Sequence, residues 1–185
     1  MLSRIIPTKP IKTQTKTIFI NKIERLMHEE YKLRKKQKEM KDRKEIEEVI
    51  EKSKVCRLGL SVENKPYVVP MSFGYANNTL YFHSNPKGKK MEYLKKNSYV
   101  CFEFDSNVKI VEETLPCHWT CHFESVIGYG HVSFVEDVDE KKKAMDIIMK
   151  QYGWESKSNL YDPQSFKVAK VFKLKIDSIT GKKNK

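Results

Sequence analysis

PYVVPMSFGYANNTLYFHSNPKGKKMEYLKKN, residues 66–97, decides the fold of this chain. Alternation in its first part places Tyr67, Val69, Met71 and Phe73 on one face of a strand and Val68, Pro70 and Ser72 on the other. Ala76-Asn77-Asn78 supplies a tight turn. Leu80 and Phe82 then alternate with Tyr81 and His83 in a return strand that stops at Ser84-Asn85-Pro86. The two runs read as the two strands of a hairpin leading straight into a helix start. Lys87, Lys89 and Lys90 surround Gly88 in the first turn of that helix, which Met91 and Leu94 carry into the core. A helix N-terminus already favours anions through its free N–H groups and its dipole. Three lysines at that place weaken the helix, so the pattern points to an anion held there.

Outward from this stretch the chain alternates strands with short helices. Ile46, Val49 and Ile50 have helical spacing behind an Asp42 N-cap, with Glu45 three residues later. Residues 55–62 alternate as a strand, Cys56, Leu58, Leu60 and Val62 inward and Arg57, Gly59 and Ser61 outward. Further strands are predicted at 99–104 and 123–135, where Gly128 and Gly130 suggest a bend or a close backbone approach. Ala144, Ile147, Ile148 and Tyr152 form an amphipathic helix, and Phe172, Leu174 and Ile176 close the sheet. The expected fold is mainly β with peripheral helices, an antiparallel barrel rather than a doubly wound parallel sheet. No G-x-G-x-x-G or Walker pattern is present.

The segment YFHSNPKGKK, preceded by PYVVPMSFGY and followed by LKKNSYVCFEFD, resembles the flavin site of the pyridoxamine 5'-phosphate oxidase-like split-barrel proteins. Within that superfamily it is most similar to the nitroimidazole-resistance (Nim-type) reductases and their flavin-binding relatives. ESVIGYGHVSFVED at 124–137, EKKKAMDIIMKQY at 140–152 and DSITGKK at 177–183 continue the pattern, which covers roughly residue 33 to 185. The resemblance implies an FMN-binding antiparallel split β-barrel and a homodimer with FMN at its interface. It sets Val69, Pro70, Met71 and Ser72 beside the flavin ring, His83 and Ser84 near ribityl and phosphate, and Lys89 and Lys90 on the phosphate. His83, in isolation a surface histidine, gains from this context the role of catalytic proton donor, titrating near the ordinary value of ~6.5. Val68 stands where the pyridoxamine phosphate oxidases proper have an arginine, so their full phosphate clamp and their substrate do not carry over.

The function expected is that of an FMN-dependent oxidoreductase reducing small electron-poor compounds such as nitroimidazoles or nitroaromatics. Flavin supplies the redox chemistry and the protein orients it. Two alternatives stand beside it: a non-catalytic flavin- or haem-binding protein, with FMN ahead of haem, and a basic nucleic-acid-binding protein.

Charge bears on the last of these. The net charge is +12, but residues 1–54 hold 16 Lys/Arg against 9 Asp/Glu, and the rest only 20 against 15. Basic residues at 32–44 are interleaved with Glu39 and Asp42 and lack a set of stacking aromatics, the signature of a solvated helix face rather than of a nucleic-acid surface. Residues 1–32 read as a basic N-terminal extension, flexible or targeting, ahead of a split-barrel domain at 33–185. Residues 1–26 have no acidic residue before Glu24, the composition of a presequence for a mitochondrion-type organelle, though Pro7 and Pro10 weaken the helix such a signal needs. Otherwise a cytoplasmic protein is expected. No apolar run is long enough to cross a bilayer, and the four cysteines are expected reduced. Cys117, His118, Cys121 and His122 are zinc-ligand types, but Cys121 and His122 on a strand point to opposite faces, so no metal is expected.

Overall fold

A computed structural model of the protein describes residues 36–155 and 161–185. The expectations for residues 1–26 and 1–32 lie outside the described residues. Strand β1 (Glu39–Met40) leads to helix α1 (Arg43–Lys52). Asp42 caps that helix, its carboxylate accepting from the Lys44 N–H at 2.9 Å, and Ile46, Val49 and Ile50 are buried as their spacing predicts. Glu45 does not turn back to close a capping box; it pairs with Lys183 at 2.6 Å.

Strands β2 (Cys56–Val62), β3 (Lys65–Met71), β4 (Gly74–Ala76), β5 (Thr79–Ser84), β6 (Tyr99–Val111), β7 (Thr120–Val135) and β8 (Lys170–Asn184) make up the rest of the sheet. Helices α2 (Lys89–Lys96), α3 (Val138–Gln151) and α4 (Pro163–Val168) lie between them. The strands run in the order β3-β2-β6-β7-β8-β5-β4, with β1 added to β8, and every pairing is antiparallel. β3 and β4 stand at opposite ends of this order, yet only Ser72 and Phe73 separate them in the chain. The sheet must therefore curl until its two ends come close without pairing, which makes it an antiparallel split β-barrel.

This topology corrects one sequence expectation. Residues 66–76 are not a single strand of a hairpin; β3 pairs with β2, and only β4 pairs with β5, through Gly74–Tyr81, Tyr75–Leu80 and Ala76–Thr79. The chain changes partners at Phe73, whose side chain is fully buried 4.9 Å from the Phe104 ring and whose N–H donates to the Tyr152 hydroxyl at 3.0 Å. Gly74 is needed at this step, because a Cβ there would sit 2.6 Å from the backbone of Ile147 in α3. Asn77 and Asn78 then make the turn with φ of 51° and 58°.

The core fills the barrel with Phe73, Phe82, Phe102, Phe104 and Phe172, all fully buried. Phe82 and Phe172 face each other across β5 and β8 at 5.1 Å between ring centres. A bulge interrupts the β7–β8 register at Tyr129/Gly130, and added side chains at Gly128 and Gly130 would overlap Phe102 and the Lys175 carbonyl, the close approach their pattern suggests.

β6 and β7 run further than predicted, to Val111 and from Thr120. Past a second irregularity at Ser106/Lys109 they pair as a two-stranded arm that leaves Val108, Ile110, Leu115 and Trp119 exposed. With no buried face, that stretch lacks the alternation by which a strand is read from sequence.

Candidate active site: a cationic cleft between β3, β5 and the start of α2

β5 is held in the sheet by β8 as far as Ser84, and Pro86 then forbids further ladder pairing. Asn85 folds its side-chain oxygen back onto the Lys87 N–H at 3.0 Å, and Gly88 takes φ +114°, a conformation that disfavours any other residue. α2 begins there with the Gly88 carbonyl accepting from Met91 and Glu92. Gly88 has no side chain to cap the helix, so nothing of that kind occupies its first-turn N–H groups. Met91 and Leu94 bury the opposite face of α2, which fixes the helix start at the end of β5.

Tyr67, Val69, His83, Ser84, Asn85, Lys87, Gly88, Lys89 and Lys90 surround an open cleft of about 320 Å³. Among the described residues, Lys87, Lys89 and Lys90 have no carboxylate within ion-pair distance. Glu92 shares the first turn of α2 without pairing with them, and the contacts of Lys89 and Lys90 are with neutral groups. The Lys89 ammonium lies 4.6 Å from the centre of the Tyr67 ring and 5.4 Å from that of Tyr93, and Lys90 Nζ donates to the Met71 sulfur at 3.1 Å. Burial lowers the Lys90 pKa, so its cation is less favoured than in water. The His83 pKa is lowered too, first by burial of part of its ring and then by the Lys90 ammonium. In the cleft as it stands the neutral ring is favoured. A dianion among these groups would oppose both shifts.

Of the residues that the sequence assigns to a cofactor, Val69, His83, Ser84, Lys89 and Lys90 come together around the cleft. Met71 is buried behind it and reaches it only through Lys90. Pro70 and Ser72 lie on the opposite, exposed side of β3. Ser84 is itself buried, with its hydroxyl donating to the Asn85 carbonyl at 3.1 Å. Sequence reasoning missed Tyr67 and Tyr93 as partners of Lys89. A signal was present: Tyr93 follows Lys89 by four residues, one helical turn, and Tyr67 shares the inward face of β3 with Val69.

The other cluster of reactive residue types is dispersed. Cys117 is exposed in a short turn, while Cys121 and His122 follow each other on β7. Among the described residues no group of three or more His, Cys, Asp or Glu is placed to hold a metal ion. No helix among them is long and apolar enough to cross a membrane.

Residues 42–183 match the sequence model of the pyridoxamine 5'-phosphate oxidase family. The crystal structure of a candidate 5-nitroimidazole antibiotic resistance protein from Bacteroides thetaiotaomicron VPI-5482 is 40% identical, with a TM-score of 0.69 over 78% of this chain and 85% of that one. An FAD- and haem-binding protein from Mycobacterium smegmatis shares the fold at 14% identity, with a TM-score of 0.72 over 80% of this chain and 74% of that one. An uncharacterized protein of Rhizobium meliloti (strain 1021) is 29% identical over 98 residues, 48% of this chain and 64% of its own length, so the match spans less than two thirds of that relative. By the family match across most of its length, and by the relative that shares both fold and 40% of aligned residues, this chain belongs to the pyridoxamine 5'-phosphate oxidase family.

Proposed function

We propose that the cleft binds FMN by its phosphate and that the protein is an FMN-dependent oxidoreductase reducing small electron-poor compounds such as nitroimidazoles and nitroaromatics. One observation carries this reading: three lysines line a cleft at a helix start and, among the described residues, none is paired with a carboxylate. The residues fit a phosphate monoester, which takes charge-assisted hydrogen bonds from Lys89 and Lys90 and backbone donors from the first turn of α2. They fit the rest of the cofactor as well. β3 ends the sheet order, so one edge of its backbone at Val69, Pro70, Met71 and Ser72 is left for the polar rim of a ring system.

When bound, flavin supplies the electron transfer. The chain's own residues do the remaining work. Lys89, Lys90 and the α2 start hold the phosphate, and Val69 lines the cleft beside the ribityl path. His83, which lines the cleft, would donate a proton from a ring nitrogen to a substrate, and a bound phosphate dianion would oppose the burial and the Lys90 charge that otherwise keep the ring neutral. The kinship with a candidate 5-nitroimidazole resistance protein supports the substrate class. Val68, in the place of the oxidases' arginine, argues against pyridoxamine phosphate as substrate.

The same reading makes the protein a two-fold dimer with FMN between the chains. Val68 and Ile127, 64% and 43% exposed, lie on the outer face of the sheet, and a second copy would cover them. The test is a spectrum of the purified protein followed by anaerobic reduction with NAD(P)H and reoxidation with a nitroaromatic. Flavin absorbance with nitroaromatic-dependent turnover is the expected result. A flavin that is bound but never reoxidised by substrate makes the protein a carrier, and a colourless protein that takes up no FMN removes the proposal.

A further inference from the structure

Lys89 is the one cation of the described residues that is met by two aromatic rings. Tyr67 comes from β3 and Tyr93 from α2, their rings edge to face at 5.6 Å, and the ammonium lies over both. Lys54, Lys141 and Lys182 each meet a single ring. A lysine normally spends its freedom in solvent, and fixing its four side-chain torsions opposes binding. A carboxylate would fix the ammonium but would also neutralise it, and would then compete with any incoming anion. Aromatic faces attract the cation through their quadrupole and leave its charge intact. The two rings also pack on each other and so join β3 to α2, which ties the position they impose on Lys89 to two elements of the fold.

We infer that Tyr67 and Tyr93 are positioning residues that hold the Lys89 ammonium ready for a phosphate monoester, and so set the preference of the cleft for phosphorylated over unphosphorylated flavin. The inference rests on the reading of the cleft as an FMN site. It needs the rings and not the hydroxyls, which makes it separable from a hydrogen-bonding role. It also concerns the phosphate alone, which makes it separable from stacking of the tyrosines on the flavin ring.

The experiment is a titration of FMN and riboflavin into the full chain, its native form against Tyr67→Leu, Tyr93→Leu, Tyr67→Phe, Tyr93→Phe, Lys89→Met and the Tyr67→Leu, Lys89→Met double variant. Thermal melts confirm that each variant is folded. Each Leu variant is expected to weaken FMN by about 3- to 30-fold, the worth of a partly desolvated cation–π contact, with riboflavin unchanged. The Phe variants should bind FMN as the native chain does. In the double variant the Tyr67→Leu loss should vanish, because the lysine it positions is gone. Equal loss of FMN and riboflavin in the Leu variants would place the rings on the flavin and overturn the inference, as would Leu variants with native FMN affinity or additive losses in the double variant. If a Leu variant does not fold, loss of FMN preference in the Phe variants overturns it. A native protein that binds FMN and riboflavin equally instead removes the FMN reading itself, whatever the tyrosines do.

Discussion

Two sets of lysines in this protein have opposite surroundings. Lys52, Lys170, Lys173, Lys183 and Lys185 each sit beside a glutamate, Glu48, Glu136, Glu140, Glu45 and Glu124 respectively. Lys89 and Lys90, at the cleft, sit beside tyrosine rings and a methionine sulfur. In the first set charges cancel locally, and the pairs that are exposed on both sides contribute little. The second set has no carboxylate partner among the described residues, and partial burial lowers the Lys90 pKa. An anion bound there, as proposed for the FMN phosphate, would supply the missing countercharge. The difference also bears on the net charge of +12: most of the excess lies before residue 55, whereas the proposed anion site consists of three lysines without a carboxylate partner among the described residues.

The sharpest way to break this contrast is to remove the uncompensated pair. Lys89→Ala with Lys90→Ala should weaken FMN by roughly 1–3 kcal/mol for each charged hydrogen bond lost, read by titration, and leave riboflavin binding unchanged. A protein that binds FMN as before would put these lysines in the solvated set.

His83→Ala separates holding the cofactor from using it. At saturating FMN, turnover of a nitroaromatic should fall about 10²–10⁴-fold, the range of general acid catalysis, while FMN affinity stays close to native. In the native protein without FMN, the His83 pKa lies below its ordinary 6.5. The neutral ring is the form the fold prefers, so its contribution to stability is present above 6.5 and is lost as pH falls through the lowered value. Denaturant titrations between neutral and mildly acidic pH should show that loss, and the His83→Ala protein should not. With FMN bound, the same group should titrate higher in the pH–rate profile than in the free protein. A profile that does not change on substitution returns His83 to a surface histidine.

Gly88→Ala tests whether the helix start is shaped for a ligand. Nothing lies within 4 Å of an added Cβ, so the expected cost is conformational, from φ +114°. Strain of that kind is worth about 1–3 kcal/mol, and a thermal melt should show it together with weaker FMN binding. The smallest effect belongs to the paired set. Lys52→Ala and Lys170→Ala should leave both melting temperature and FMN affinity indistinguishable from native, and a change in FMN affinity there would blur the distinction between the two sets.

Much of this site was legible from residues 66–97. The Asn77-Asn78 turn, the buried Met91 and Leu94 and the lysines around Gly88 are local features, and local chemistry determines them. The switch of partners at Phe73 was not legible, because residues 67–73 keep one alternating pattern while the strand they form ends at Met71. Only contacts from distant parts of the chain, Tyr152 on the Phe73 N–H and α3 against Gly74, reveal it. For Tyr67 over Lys89 the alternation gives the face of the strand but not the partner, a helix residue 22 positions away. The β6–β7 arm escaped for the opposite reason. Val108 and Ile110 are exposed, so the stretch presents no buried face for a pattern to mark.

Whether the cleft is built for a phosphate monoester attached to a flavin can be read by calorimetric titration of the native full chain with FMN and with riboflavin under one buffer and salt condition. A cleft built this way binds FMN clearly more tightly, with the difference abolished in the Lys89→Ala, Lys90→Ala protein. Equal affinities for FMN and riboflavin in the native chain would contradict it.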